Sequence, residues 1–178
     1  MPERHNALEV LLFLDVGGSM DEHIRLCEEV FSAARSEFKH LEHFYFRNCP
    51  YQSLWKDNWR RHTERIATQQ VLRTYGADYR AIFVGDATMN LYEITHAGAS
   101  IEQWNDEASA LWLQRLSHAF PHLVWLNPEP VERWEHTASI RIVRELVGGR
   151  VFPLTIAGLE QAITSLKRRE LRGLDRTG

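Results

Sequence analysis

Hydrophobic positions along this chain fall into two spacings. The first is the unbroken apolar run: LEVLLFL at 8–14, YRAIFVG at 79–85 and HLVWL at 122–126. Such runs suit central parallel strands covered on both faces. The second is the helical stripe. Ile24, Cys27, Val30, Phe31, Ala34 and Phe38 line one face of residues 21–38. Trp104, Ala108, Leu111, Trp112 and Leu116 do the same within 100–119.

Shorter elements fill the gaps. Residues 41–48 are aromatic-rich and read as a strand. The turn Asn48-Cys49-Pro50-Tyr51 follows, and 53–56 returns as a short antiparallel edge strand. Residues 57–65 are polar and basic, the composition of a loop. A helix is expected at 68–75, ended by Gly76. Another spans 138–147, stopped by Gly148-Gly149. A last strand at 150–154 precedes a last helix at 156–172, and the polar tail 173–178 is expected to fray. In Asn127-Pro128-Glu129-Pro130 the prolines are expected to prevent a helix. Strands alternate with helices nearly throughout. The predicted fold is therefore α/β and doubly wound: a mostly parallel sheet, helices on both faces, one short antiparallel edge strand.

Composition narrows the picture. The 178 residues suit one domain, and 44% hydrophobic content fills one core. The net charge of -3 gives no long-range attraction for nucleic acid or an anionic membrane. No apolar run approaches the roughly 20 residues of a membrane-spanning helix. Residues 1–6 lack the apolar stretch of a signal peptide. Cys27 and Cys49 have no metal-like spacing and are expected as reduced thiols of a cytoplasmic protein.

Candidate chemistry collects where such folds bind ligands, beyond the carboxyl ends of the strands. Asp15, Gly17 and Ser19 follow the first apolar strand, Asp86 and Thr88 the second, and Asn127 the third. Two carboxylates side by side repel, and a hard divalent cation relieves the conflict. Magnesium takes oxygen ligands, among them Asp, Ser and Thr, and keeps several waters. Gly17 and Gly18 are expected to give the backbone a tight turn through unusual dihedrals, and Ser19 to cap the next helix. The plainer reading is that each Asp merely forms a turn. Their joint placement after two apolar strands favours a site.

Other groups carry less. His40, His43, His62, His96, His118, His122 and His136 form no pair at ligand spacing with acids. Trp55, Lys56, Trp59, Arg60 and Arg61 combine aromatics with bases, but the overall acidity favours a solvated loop over a nucleic-acid contact. Trp104 and Trp112 are expected in the core. Glu129, Glu132 and Trp134 lie near the binding edge and are candidates for partner contact. Enzyme signatures fail one by one. A dehalogenase-type Asp-x-Asp would need an acid at Gly17. The run Gly17-Gly18-Ser19-Met20-Asp21 lacks the second glycine of a nucleophile elbow, and neither a phosphate loop nor a dinucleotide turn is present. A metal-dependent hydrolase on the same acidic edge and a metal-free scaffold stay open.

An apolar strand, Asp-x-x-Gly-Ser-Met, a helix and a later strand ending in Asp together resemble a von Willebrand factor A domain. Within that family the chain is most similar to the CoxE-like bacterial branch, through HFYFRNCPY, RTYGADYRAIFVGDATM, WLNPEP and IVRELVGG. The resemblance implies a metal-ion-dependent adhesion site in which Asp15 and Ser19 fill the first and third positions and Asp86 the last. Gly17 stands where the family has a serine. A threonine completes the set: Thr68, or Thr63, which could also open that helix. The resemblance further implies bound Mg2+ or another divalent cation, a protein partner presenting a carboxylate, and the carboxyl-terminal position in a longer chain. It also implies an adaptor role with a MoxR-type AAA+ ATPase in protein or metal-centre maturation.

Overall fold

The computed structural model describes residues 8–51, 53–56, 65–88 and 108–175. These form a mixed sheet of seven strands in the order β4-β3-β2-β1-β5-β6-β7. The strands are β1 (Leu8–Asp15), β2 (Phe38–Phe46), β3 (Ser53–Trp55), β4 (Arg65–Ala67), β5 (Arg80–Val84), β6 (Leu123–Asn127) and β7 (Val151–Pro153). From β2 through β7 all neighbours are parallel, while β3 and β4 pair antiparallel at the edge. The helices are α1 (Ile24–Ala33), α2 (Thr68–Thr74), α3 (Ser109–Ala119), α4 (Val131–Trp134), α5 (Ala138–Leu146) and α6 (Ile156–Asp175).

Alternation along the central strands explains their unbroken hydrophobicity. Leu11 and Phe13 of β1, Ala81 and Phe83 of β5, and Leu123 and Trp125 of β6 point into one cluster, which α2, α3, α4 and α5 cover. Val10 and Leu12, Ile82 and Val84, and Val124 and Leu126 point into the opposite cluster under α1 and α6. Successive side chains face opposite sides, so a strand with a helix layer on each face has no polar side. The doubly wound α/β architecture is therefore as expected.

Several boundaries differ from the sequence reading. The helix expected at 21–38 is three pieces: a 3-10 turn over Gly18–His23, then α1, then a second 3-10 turn over Arg35–Glu37. Phe38 belongs to β2, because the parallel register sets it opposite Leu8. The expected single antiparallel strand is two. β4 lies outside β3 and begins at Arg65, the last residue of the expected loop. Pro130 does not prevent a helix but precedes one. With φ -54 it leads into α4, where a missing N–H costs nothing. α6 runs to Asp175, past the residue where fraying was expected. The stop after α5 is as read: Gly148 and Gly149 adopt φ +67 and +77, the left-handed region open to glycine. Cys27 and Cys49 are both free thiols, and Trp112 is buried. No helix among the described residues is long and apolar enough to cross a membrane. Trp59, Arg60, Arg61, His62, His96 and Trp104 lie outside the described residues.

Candidate metal centre

Four neighbouring strands carry one aromatic row. Phe44 of β2 stacks on Phe13 of β1 with ring centroids 5.4 Å apart, Phe13 on Phe83 of β5 at 4.4 Å, and Phe83 on Trp125 of β6 at 5.4 Å. Two residues further toward the carboxyl ends, the same face presents Phe46, Asp15, Gly85 and Asn127. Asp15 thus stands on the aromatic row, at the carboxyl edge of adjacent parallel strands. β1 and β5 are adjacent and parallel, so the acids that follow them stand at neighbouring strand ends.

Gly85 makes room for Asp15. A Cβ on Gly85 would lie 3.1 Å from Asp15 Cβ, 3.2 Å from Asp15 Oδ2 and 3.2 Å from Trp125 Cζ2. The Trp125 indole donates to the Gly85 carbonyl at 2.8 Å and holds the strand end in place. Asp86 follows directly. Its Oδ1 accepts the Thr88 N–H at 3.1 Å, and its carbonyl accepts from Asn127 Nδ2 at 2.9 Å. Asn127 Oδ1 in turn accepts the Glu129 N–H at 2.8 Å, so one buried amide ties the Asp86 loop to the segment after β6. Ala87 between them has φ +55, a conformation that costs a residue with Cβ about 1–2 kcal/mol.

Asp15 is 4% exposed and Asp86 2%. Asp15 Oδ1 accepts two backbone N–H groups, from Gly17 at 2.8 Å and from Asn48 at 3.0 Å. The turn after β2 is therefore clamped onto the turn after β1, a link reinforced by Val16 N donating to Phe46 O at 2.8 Å. Asn48 takes φ +62, which asparagine tolerates better than most residues. Its turn is also held from the other side. The Thr68 hydroxyl, at the first position of α2, donates to Tyr51 O at 2.5 Å, and the Ser109 hydroxyl donates to Pro50 O at 2.6 Å.

The expected site residues are thus distributed as follows. Gly17 and Gly85 each touch Asp15, with Asp86 next in sequence to Gly85. Thr68 is fully buried and opens α2, whose Val71 packs into the cluster on Asp15's face of the sheet. Thr63 lies outside the described residues. Ser19 is exposed within the 3-10 turn. It does not cap α1: His23 holds the N-cap position, and no side-chain cap bond forms there. The glycines also differ from expectation. Gly17 has φ -61 and ψ 156, ordinary extended backbone, and Gly18 has no neighbour within 4 Å of a Cβ. The left-handed backbone near the acids is at Asn48 and Ala87. Trp134, expected as a partner contact, is buried instead. Its ring is 4% exposed and its indole donates to Glu129 O at 2.9 Å, so it anchors the loop inward. Glu132 is exposed, and Glu129, mostly covered, pairs with Arg133 at 3.5 Å.

In the sequence Asn48 reads only as a turn residue. Its one signal was an asparagine directly after an aromatic strand, where left-handed backbone is common.

Among the described residues, no three or more His, Cys, Asp or Glu side chains gather as a metal site. Any cation here would rest on two carboxylates supplemented by hydroxyl, amide and water oxygens. That donor set suits a hard divalent ion such as Mg2+ and not a soft one. No protein-family model, curated protein or solved structure matches the chain.

Proposed function

We propose that this domain is a protein-binding adaptor that holds Mg2+ or another divalent cation at the carboxyl edge of its sheet. Asp15, Ser19, Thr68 and Asp86 supply oxygens, and a carboxylate from a partner protein completes the shell. The observation that carries this reading is the pair Asp15 and Asp86. They are two buried acids at the ends of adjacent parallel strands, with Gly85 packed against Asp15 and joined to Asp86. Burying two carboxylates is costly unless positive charge accompanies them. A cation bound beside them lowers that cost, and Ser19 is exposed in the turn that follows Asp15. Recognition of this kind requires no bond to be made or broken by the domain. The exposed Glu132 and the neighbouring Glu129 border the same edge as further contact points. The resemblance to CoxE-like domains supports a cytoplasmic partner of the MoxR AAA+ class and a role in protein or metal-centre maturation.

The test is calorimetric titration with Mg2+ and Mn2+, alongside the Asp15→Asn and Asp86→Asn variants. Binding by the wild-type chain and its loss in both variants is expected. Absence of heat and of any rise in Tm at millimolar metal would overturn the reading. So would phosphatase or esterase turnover that Asp86→Asn abolishes, which would make the edge a hydrolase site. A pull-down with a MoxR-type ATPase is expected to succeed in Mg2+ and fail in EDTA. Equal recovery in both would refute the metal-dependent contact.

A further inference from the structure

Position 17 has no side chain, yet the space beside it is filled. A Cβ built on Gly17 would stand 2.7 Å from Asn48 Oδ1 and 3.1 Å from Asp15 Oδ1. Since Gly17 has an ordinary extended backbone, its own dihedrals do not require glycine. The nearest atom a side chain there would meet is the Asn48 carboxamide oxygen, which reaches in from the turn after β2. A serine hydroxyl at position 17 would sit one bond beyond that Cβ, in the region the Asn48 oxygen now occupies.

Asn48 is held there by more than its own side chain. Its N–H donates to Asp15 Oδ1 at 3.0 Å, and its φ of +62 turns the residue back toward β1. The Arg47–Cys49 bridge closes the turn around it, and Thr68 and Ser109 fix the Tyr51 and Pro50 carbonyls just beyond. The carboxamide oxygen is thus presented beside Asp15 Oδ1 by a turn anchored at several points. An amide carbonyl is a neutral oxygen donor of the type hard divalent cations accept.

We infer that Asn48 is a metal ligand of this site, its carboxamide oxygen standing in from a different loop for the hydroxyl that position 17 lacks. The assignment rests on the metal-binding reading above and extends it: the cation is held by the β2–β3 turn as well as by the ends of β1 and β5. Gly17 and Asn48 are then a matched pair, one donating space and the other the oxygen. Changing one without the other is harmful, and exchanging both is tolerated.

Asn48→Gly isolates the side chain, because glycine keeps the backbone N–H to Asp15 and accepts the positive φ. Mn2+ is titrated calorimetrically into the wild type, Asn48→Gly, Asn48→Asp and the double variant Gly17→Ser/Asn48→Gly, with the metal-free Tm recorded for each. Asn48→Gly is expected to weaken Mn2+ binding roughly tenfold or more, the scale set by losing supporting groups at metal sites. The double variant is expected to recover most of that loss, and Asn48→Asp to bind at least as tightly as wild type. Mn2+ is also expected to broaden the Asn48 side-chain amide resonances in the wild-type NMR spectrum. Wild-type affinity in Asn48→Gly, at unchanged Tm, would overturn the assignment and leave the metal site standing. A weakened Asn48→Gly that Gly17→Ser fails to rescue would also overturn it. No Mn2+ binding by the wild type would remove the site and this ligand together.

Discussion

Gly85→Ala tests whether the sheet makes room for the acid that ends β1. The substitution adds one methyl where Asp15 Cβ would lie 3.1 Å away on one side and Trp125 Cζ2 3.2 Å away on the other. Carbon atoms in contact prefer about 3.5–4.0 Å, so both neighbours must yield by several tenths of an ångström. Neither yields easily. Trp125 is stacked on Phe83 and hydrogen-bonded to the Gly85 carbonyl, and Asp15 is fixed by two backbone N–H groups. Gly85 lacks a positive φ, so alanine restricts the unfolded chain and contributes about 0.4–1 kcal/mol in favour of folding. Overpacking a closed site costs about 1–3 kcal/mol and is expected to dominate. The net loss is then about 1 kcal/mol, a fall in Tm of roughly 2–4 °C for a chain of this size. Urea unfolding monitored by tryptophan fluorescence measures the loss. Mn2+ titration of the same variant is expected to show weaker binding, because Asp15 Oδ2 is displaced. Stability equal to or above wild type, with metal affinity unchanged, would refute the claim that glycine is there for space.

Gly158→Ala in an exposed helix would be favourable by about 1 kcal/mol, but the sign is expected to reverse here. Its Cβ would fall 1.9 Å from the Pro153 carbonyl oxygen, so urea unfolding should show a loss of about 3 kcal/mol, and a gain would show that α6 can move off β7. Trp134→Ala is expected to lose about 3–5 kcal/mol because the ring is core, whereas Glu132→Ala should stay within about 0.5 kcal/mol. Similar effects of the two in thermal unfolding would contradict the inward orientation of Trp134. Burial, and secondarily Glu28, pushes the Cys27 thiol up to about 11. The folded chain holds that proton more tightly than the unfolded one. The stabilisation is therefore complete below about pH 9 and is lost as pH rises through 11. Iodoacetamide should modify Cys27 slowly at neutral pH, with a rate still climbing above pH 9; a plateau near pH 9 would refute the shift.

The fold class was legible because hydrophobic periodicity is a local signal that burial on two faces imposes. LEVLLFL, YRAIFVG and HLVWL read as strands covered on both faces, and β1, β5 and β6 lie between two helix layers. Less legible were the ends of elements. Phe38 satisfies a helical stripe and a strand equally, and only its pairing with Leu8 decides. Trp134, in a run rich in proline and acid, reads as surface until the α4 turn after Pro130 aims its ring inward.

At the candidate site the same division holds. By itself the chain determined that acids follow two central strands and that position 17 carries no hydroxyl. Tertiary structure decided that those strands are neighbours, that Gly85 opens space for Asp15, and that Asn48 occupies the space beside Gly17. The physical reason is range. Propensity and alternation act over a few residues, whereas the Asp15–Asn48 contact spans 33 positions and exists only once β1 and β2 pair in register.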